Sequence, residues 1–242
     1  MKSKFFNSSV IKPTVTASVQ HAAAFTDGDI VFDWVGFEIP RGVSKFLGAT
    51  ITLRAKNDAG QTVQGAGLDL LFAKGPVPDA TPTSLGTGNA EITNFASADI
   101  VGAMPYKAAD AFGARTLYQS SVSTCETVLE PNPNSGSTAG VDKFYIAGIA
   151  AGALDFRSGL TVNESNFGAG TQTVITVADV DATLGFVAGD VIHASDNAVL
   201  GTIASVDNST QITLTAANTA AIEDDDVLYN INPISIILHF SK

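Results

Sequence analysis

Hydrophobic and polar positions alternate over short runs along this chain, and no long stretch places apolar residues at helical spacing. The clearest runs lie toward the C-terminus. Residues 174–177, 191–194, 199–206, 211–215 and 227–231 are β-type, with Asp-Ala-Thr-Leu-Gly, Ser-Asp-Asn-Ala and Asp-Asn-Ser between them. Asn, Asp and Ser favour turns because their side chains bond the local backbone. Short strands this closely spaced predict a small β-barrel, since closure leaves no exposed edge. An apolar run at 234–240, ISIILHF, follows at once. It reads as apolar on both faces and must pair with strands far back in the chain. The barrel, 160–229, is therefore expected as an insertion before the last strand of a body formed by 1–159 plus 230–242.

The body carries its own alternation. Residues 14–20 read as a strand with one buried face. Residues 30–39, IVFDWVGFEI, are the strongest strand, with Phe32, Trp34 and Phe37 as core anchors. In 49–56, Ile51 and Leu53 share one face and Thr50, Thr52 and Arg54 the other. Residues 57–60, NDAG, read as a hairpin turn into a returning strand at 66–73. Residues 74–113 read as a long loop with helical turns at 96–101 and 107–112. A strand is expected at 115–129 and an exposed loop at 130–140. Residues 143–156 read as a strand pair or one bent strand whose small residues admit another backbone closely. The whole predicts an all-β chain: a jelly-roll-like β-sandwich body with an inserted barrel.

Charge sharpens this division. Apolar residues make up 45% and charged residues only 15%, with a net charge of −11. Residues 158–241 contain no Lys or Arg but ten acids: Glu164, Asp179, Asp181, Asp190, Asp196, Asp207, Glu223, Asp224, Asp225 and Asp226. The other fourteen acids and all thirteen bases lie elsewhere and sum to −1. An acidic insert on a nearly neutral body suggests one part facing solvent and another made for docking. The overall sign excludes nucleic acid as the expected partner, because phosphate contacts need Lys and Arg.

The search for chemistry returns little. The single Cys125 leaves no intramolecular disulfide and reads as a buried structural thiol. His21, His193 and His239 have no zinc-ligand spacing and read as structural or surface residues. No nucleophile elbow or phosphate loop occurs, and Gly86-Thr87-Gly88 stands isolated in a loop. Glu223, Asp224, Asp225 and Asp226 are a weak candidate for a cation because calcium takes oxygen ligands, although the EF-hand spacing is absent. A solvated acidic turn is the preferred reading. No cofactor is implied and no enzyme is expected. The first twelve residues place Lys2, Lys4 and Lys12 around Phe5 and Phe6. They suggest an arm reaching a neighbouring subunit, with Phe5, Phe6 and Lys12 as interface candidates. The N-terminus has no apolar core of a signal peptide and no run is long enough to span a membrane. A soluble chain without membrane contact is expected, and the sequons at Asn7, Asn163 and Asn208 are incidental.

The insert also carries a resemblance. Gly189-Asp190-Val191-Ile192, Leu200-Gly201-Thr202-Ile203, Val206-Asp207, Gln211-Ile212-Thr213-Leu214-Thr215 and the acidic turn before Leu228-Tyr229 resemble a small β-barrel module of virion structural proteins in tailed, especially marine, bacteriophages. The body segment DIVFDWVGFEIPRGVSKFLGATITLRAKNDAG looks similar to the same group. The resemblance implies a capsid decoration or cement protein on the virion head, made in the host cytoplasm. It further implies a trimer bound to the major capsid protein. A tail, baseplate or fibre component shares these features. A carbohydrate-binding adhesin is a further alternative, for which Trp34 would be the sugar platform were it not expected in the core. A glycan depolymerase lacks its constellation.

Overall fold

The computed structural model describes residues 6–40, 44–59, 62, 64–77, 80–95, 100–105, 118–129 and 141–241. In chain order the elements are β1 (Phe6–Ile11), α1 (Ala17–Ala22), β2 (Ile30–Pro40), β3 (Ser44–Arg54), β4 (Gly67–Ala73), β5 (Ile100–Met104), β6 (Tyr118–Leu129) and β7 (Val141–Ala151). There follow β8 (Thr161–Val162), β9 (Val174–Ala178), α2 (Ala182–Gly185), β10 (Val191–Ala194), β11 (Val199–Asn208), β12 (Gln211–Leu214), β13 (Leu228–Asn230) and β14 (Ile234–Ser241).

The sandwich pairs its strands as a nest. β1 pairs with β14, β2 with β7, β3 with β6 and β4 with β5, all antiparallel. The chain thus behaves as one long ribbon doubled back at the β4–β5 connection. Lateral pairing of β14 with β3 and β7 with β4 rolls the ribbon into two sheets, β1-β14-β3-β6 and β2-β7-β4-β5. This is the jelly roll, as the alternation predicted.

The core lies between the sheets. Ile234, Ile236, Leu238 and Phe240 point inward from β14, each no more than 2% exposed. Ser235, Ile237 and His239 between them are half-buried on the outer face. The expectation of burial on both faces of this strand is therefore corrected: the outer face has no second layer to cover it fully. Phe37, Phe46, Phe72, Phe144 and Phe240 form an aromatic cluster, with Phe37 stacked on Phe144 at 6.0 Å and on Phe240 at 6.2 Å. Aromatic rings bury the largest areas per residue, so this cluster holds the two sheets together.

A register shift in β2 between Phe32 and Val35 lets Phe32 and Phe37, an odd number of positions apart, both reach that core. The Phe32 ring lies on Gly148, where a Cβ would sit 2.2 Å from a ring carbon. The small residues of 143–156 do admit a close neighbour, and the strand there is single. Trp34 departs from expectation. It is half-buried on the outer face and packs with Ile30, Leu85, Ala147 and Ile149 beneath the segment that follows β4. Its indole Nε1 donates to Thr83 O at 2.9 Å.

Three further expectations change. Residues 14–20 are not a strand: Ala17–Ala22 is a short helix. Ala17 and Gln20, one turn apart, are both buried, and Gln20 Nε2 donates to Val15 O and Asn230 O at 2.7 and 2.8 Å. Two buried carbonyls outweigh local alternation. Residues 57–60 do not join a hairpin. The Asp58 carboxylate accepts from Thr62 N at 3.0 Å, closing a local turn, but β3 and β4 belong to opposite sheets. Of the two expected helical turns, residues 96–99 of the first lie outside the described residues and its last two, Ile100 and Val101, begin the strand Ile100–Met104, which pairs with β4. The second, 107–112, lies outside the described residues, as does the loop 130–140.

The inserted barrel has the order β13-β10-β11-β12-β9-β8. It closes where Thr161 bridges Val227 and where Leu228 N and Val162 N donate to Leu160 O and Asp226 O, each at 2.9 Å. Its core is aliphatic apart from Phe186, with Ile175, Val177, Ile192, Leu200, Ile212 and Leu228 essentially inaccessible. The Asp-Ala-Thr-Leu-Gly turn is the helical turn α2, capped by Asp181, whose carboxylate accepts from Thr183 N.

Candidate functional site

The nested topology decides which residues meet the barrel. The connections β1–β2, β3–β4 and β7–β14 all leave the same end of the sandwich, and the barrel is the last of them. Side chains from the first two are therefore set against it.

Arg54 is the centre of this junction. It is the last residue of β3 and occupies an outer-face position, yet is only 5% exposed because the barrel covers it. Its guanidinium donates through Nη1 to Gly185 O at 2.8 Å and through Nη2 to Asp190 Oδ2 at 2.6 Å. It also lies over the Phe186 ring, 5.8 Å from the centroid. Asp190 Oδ2 further accepts from Val187 N at 2.9 Å. A rigid planar fork fits such a carbonyl-and-carboxylate pair, which a lysine would not match. Gly185 is required in turn, since a Cβ there would lie 2.2 Å from Asn57 Oδ1.

Further contacts surround it. Asn57 Nδ2 donates to Ser158 Oγ and Gly159 N donates to Asn57 O, at 2.8 and 2.7 Å. The Gln20 bond to Asn230 ties α1 to β13. His21 Nδ1 and the Tyr229 hydroxyl share a 2.7 Å hydrogen bond, their rings edge to face. Burial pushes the Tyr229 phenol above its ordinary value. At the outer rim Ser18 and Asn197 exchange two bonds of 2.8 Å.

Behind the junction, Asp155 binds Arg157 and Lys56 at 2.8 and 3.1 Å. Burial alone would raise its carboxyl. The hydrogen bonds from Arg157 and Lys56 and the Lys56 charge outweigh burial and hold it at about 2.

A groove of about 290 Å³ opens where the barrel overhangs the outer sheet face. Lys12, Thr52, Asp190, Asn230, Asn232 and Ser235 line it with polar groups.

The residues singled out from sequence scatter. Lys12 lines the groove. Phe6 begins β1, opposite Ser241 of the chain's own last strand, so from Phe6 onward the arm is an edge strand of this sandwich; Phe5 lies outside the described residues. Glu223, Asp224, Asp225 and Asp226 form the barrel's closing turn. Asp226 Oδ2 accepts from Glu223 N at 2.8 Å, and Asp225 adopts a φ of 66°. Among the described residues no three His, Cys, Asp or Glu side chains converge on a metal-sized site. His239 Nε2 meets Thr50 Oγ1 at 3.1 Å on the outer sheet face. His193 bonds Asn197 O at 3.1 Å, and burial lowers its pKa. Cys125 stands in β6 at a register irregularity.

Sequence reasoning missed Arg54, Asp190, Gln20 and Asn57 as a group. One signal was available. Residues 158–241 hold no cation, so a buried barrel carboxylate must find its partner in the body.

No family model matches the chain, and no curated protein matches it. Among solved structures, it shows a likeness to a chain in the structure of infectious bursal disease virus Gx strain, 10% identical, with a TM-score of 0.25 over 98% of this chain. The chain spans 40% of that chain's length. At that TM-score the likeness carries no weight for fold or function.

Proposed function

We propose that the chain is a non-enzymatic virion structural protein, a decoration or cement protein that binds between capsomers of a phage head and stabilises it. The observation that carries this reading is a jelly roll bearing an acidic barrel in the connection to its last strand. Jelly rolls serve in viral shells and in lectins, so the fold alone does not choose. The charge division favours a docking part and a solvent part. The body is close to neutral, while the barrel carries ten acids and no Lys or Arg. Repulsion between such barrels keeps neighbouring copies apart at their outer ends. Cementing then works by area. Each copy buries surface between capsomers, and many copies acting together raise the barrier to shell opening. A trimer contacting the major capsid protein is the proposed assembly.

The test uses expanded heads that lack this protein. Added protein is expected to bind them saturably and to raise the temperature at which they release DNA. Binding to isolated tails with none to heads contradicts the reading and favours a tail, baseplate or fibre component.

A further inference from the structure

We propose that the groove between barrel and sandwich binds a carboxylated sugar unit. Its volume, about 290 Å³, lies at the small end of ligand pockets and suits one ring better than an extended peptide. Asp190 and the Asn232 amide nitrogen are engaged within the chain, the latter by Lys12 O and Pro13 O, while other polar groups of the lining are not. Among the described residues, the Lys12 ammonium and the Thr52 and Ser235 hydroxyls have no side-chain partner. Asn230 is only 7% exposed. Its Oδ1 accepts from Asn232 N at 2.7 Å, while its amide nitrogen has no partner among the described residues. This nitrogen is not a sealed atom: it keeps access to the groove, where it can donate to a ligand.

Charge sets the ligand's sign. Asp190 is the groove's one carboxylate, and Arg54 neutralises it from 2.6 Å. Lys12 is therefore the uncompensated charge, in a part of the protein that is otherwise acidic. A phosphate would call for a guanidinium fork or several cations, which the groove does not offer. A bare carboxylate would use Lys12 and leave the hydroxyls and amides idle. A sugar acid uses both: its carboxylate meets Lys12, and its hydroxyls meet Thr52, Ser235, Asn230 and Asn232. Pro233 and Gly189 complete the lining. This site is remote from Trp34, which the segment after β4 covers.

The experiment is a titration of the full-length protein with glucuronate, with glucose and acetate as controls. It follows the side-chain amide resonances of Asn230 and Asn232. Glucuronate is expected to shift them saturably at millimolar concentration, and glucose and acetate to bind about ten-fold more weakly or worse. Lys12→Ala is expected to weaken glucuronate about ten-fold, and Ser235→Ala by several-fold, both with unchanged Tm. The proposal is overturned if glucuronate moves neither resonance, if acetate binds as well, or if Lys12→Ala binds undiminished. Sugar binding is measured on free protein and docking on heads, so this proposal and the virion reading fail separately.

Discussion

The sandwich and the barrel solve the same problem in opposite ways. The sandwich packs two sheets around large aromatic side chains and joins strands remote in sequence, with Val10 opposite Ile237. The barrel closes one sheet on aliphatic side chains within about 70 residues. Closure removes the edges, so the barrel tolerates an acidic surface with no cation of its own. The sandwich keeps its sheet edges. The difference teaches that one chain can combine a core built from remote strands with one built locally, and that Arg54 is where the two are joined.

The largest expected effect separates the cores. Phe240→Ala removes a ring shared by both sheets and should cost about 3–5 kcal/mol in denaturant unfolding. Leu200→Ala in the barrel should cost about 2–5 kcal/mol. Equal loss of near-ultraviolet signal from both parts in each variant would show one cooperative unit.

Next is the joint itself. Arg54→Met strands a mostly buried carboxylate at Asp190 and should cost about 3 kcal/mol. It should also split unfolding into separate transitions for sandwich and barrel. Arg54→Lys should restore less than half of the loss, because one ammonium cannot serve both Gly185 O and Asp190. Full rescue by lysine would mean that charge alone holds the joint.

A smaller effect lies behind the joint. Asp155 has a depressed carboxyl, so the stability it confers is complete above the unfolded value near 3.8 and is lost as pH falls through about 2. After solvent screening this is about 1 kcal/mol. Asp155→Asn should flatten the acid limb of a Tm-against-pH profile in that window and leave the neutral region lower. An unchanged acid limb would place the loss elsewhere.

The smallest effect concerns the acidic turn. Asp224→Asn changes a side chain of the exposed turn and should move stability by less than about 0.5 kcal/mol. Millimolar calcium should leave the Tm of both proteins unchanged. A calcium-dependent rise abolished by Asp224→Asn would restore the turn as a cation site.

The same contrast governs what could be read in the sequence. Five of the six barrel strands were legible to within two residues, from Val191–Ala194 to Gln211–Leu214, because turn residues bracket each run, while the two-residue β8, which pairs with β9, was not. The sandwich was legible as a class and misread where a remote partner decides. Gln20 turns a strand-like segment helical by reaching Asn230, and the partners of β3 and β4 lie in opposite sheets. Arg54 looked like any outward residue of an alternating strand. Only the nested topology shows that its end of β3 faces the barrel. The groove was invisible for the same reason, since Lys12, Thr52 and Asn230 come together only when the first and last strands pair.

The most direct test of the central claim is a low-resolution reconstruction of heads saturated with the full-length protein. The sandwich should lie against the shell between capsomers, with the barrel at larger radius. A barrel seated on the shell with the sandwich outward, or no density on heads at all, would contradict it.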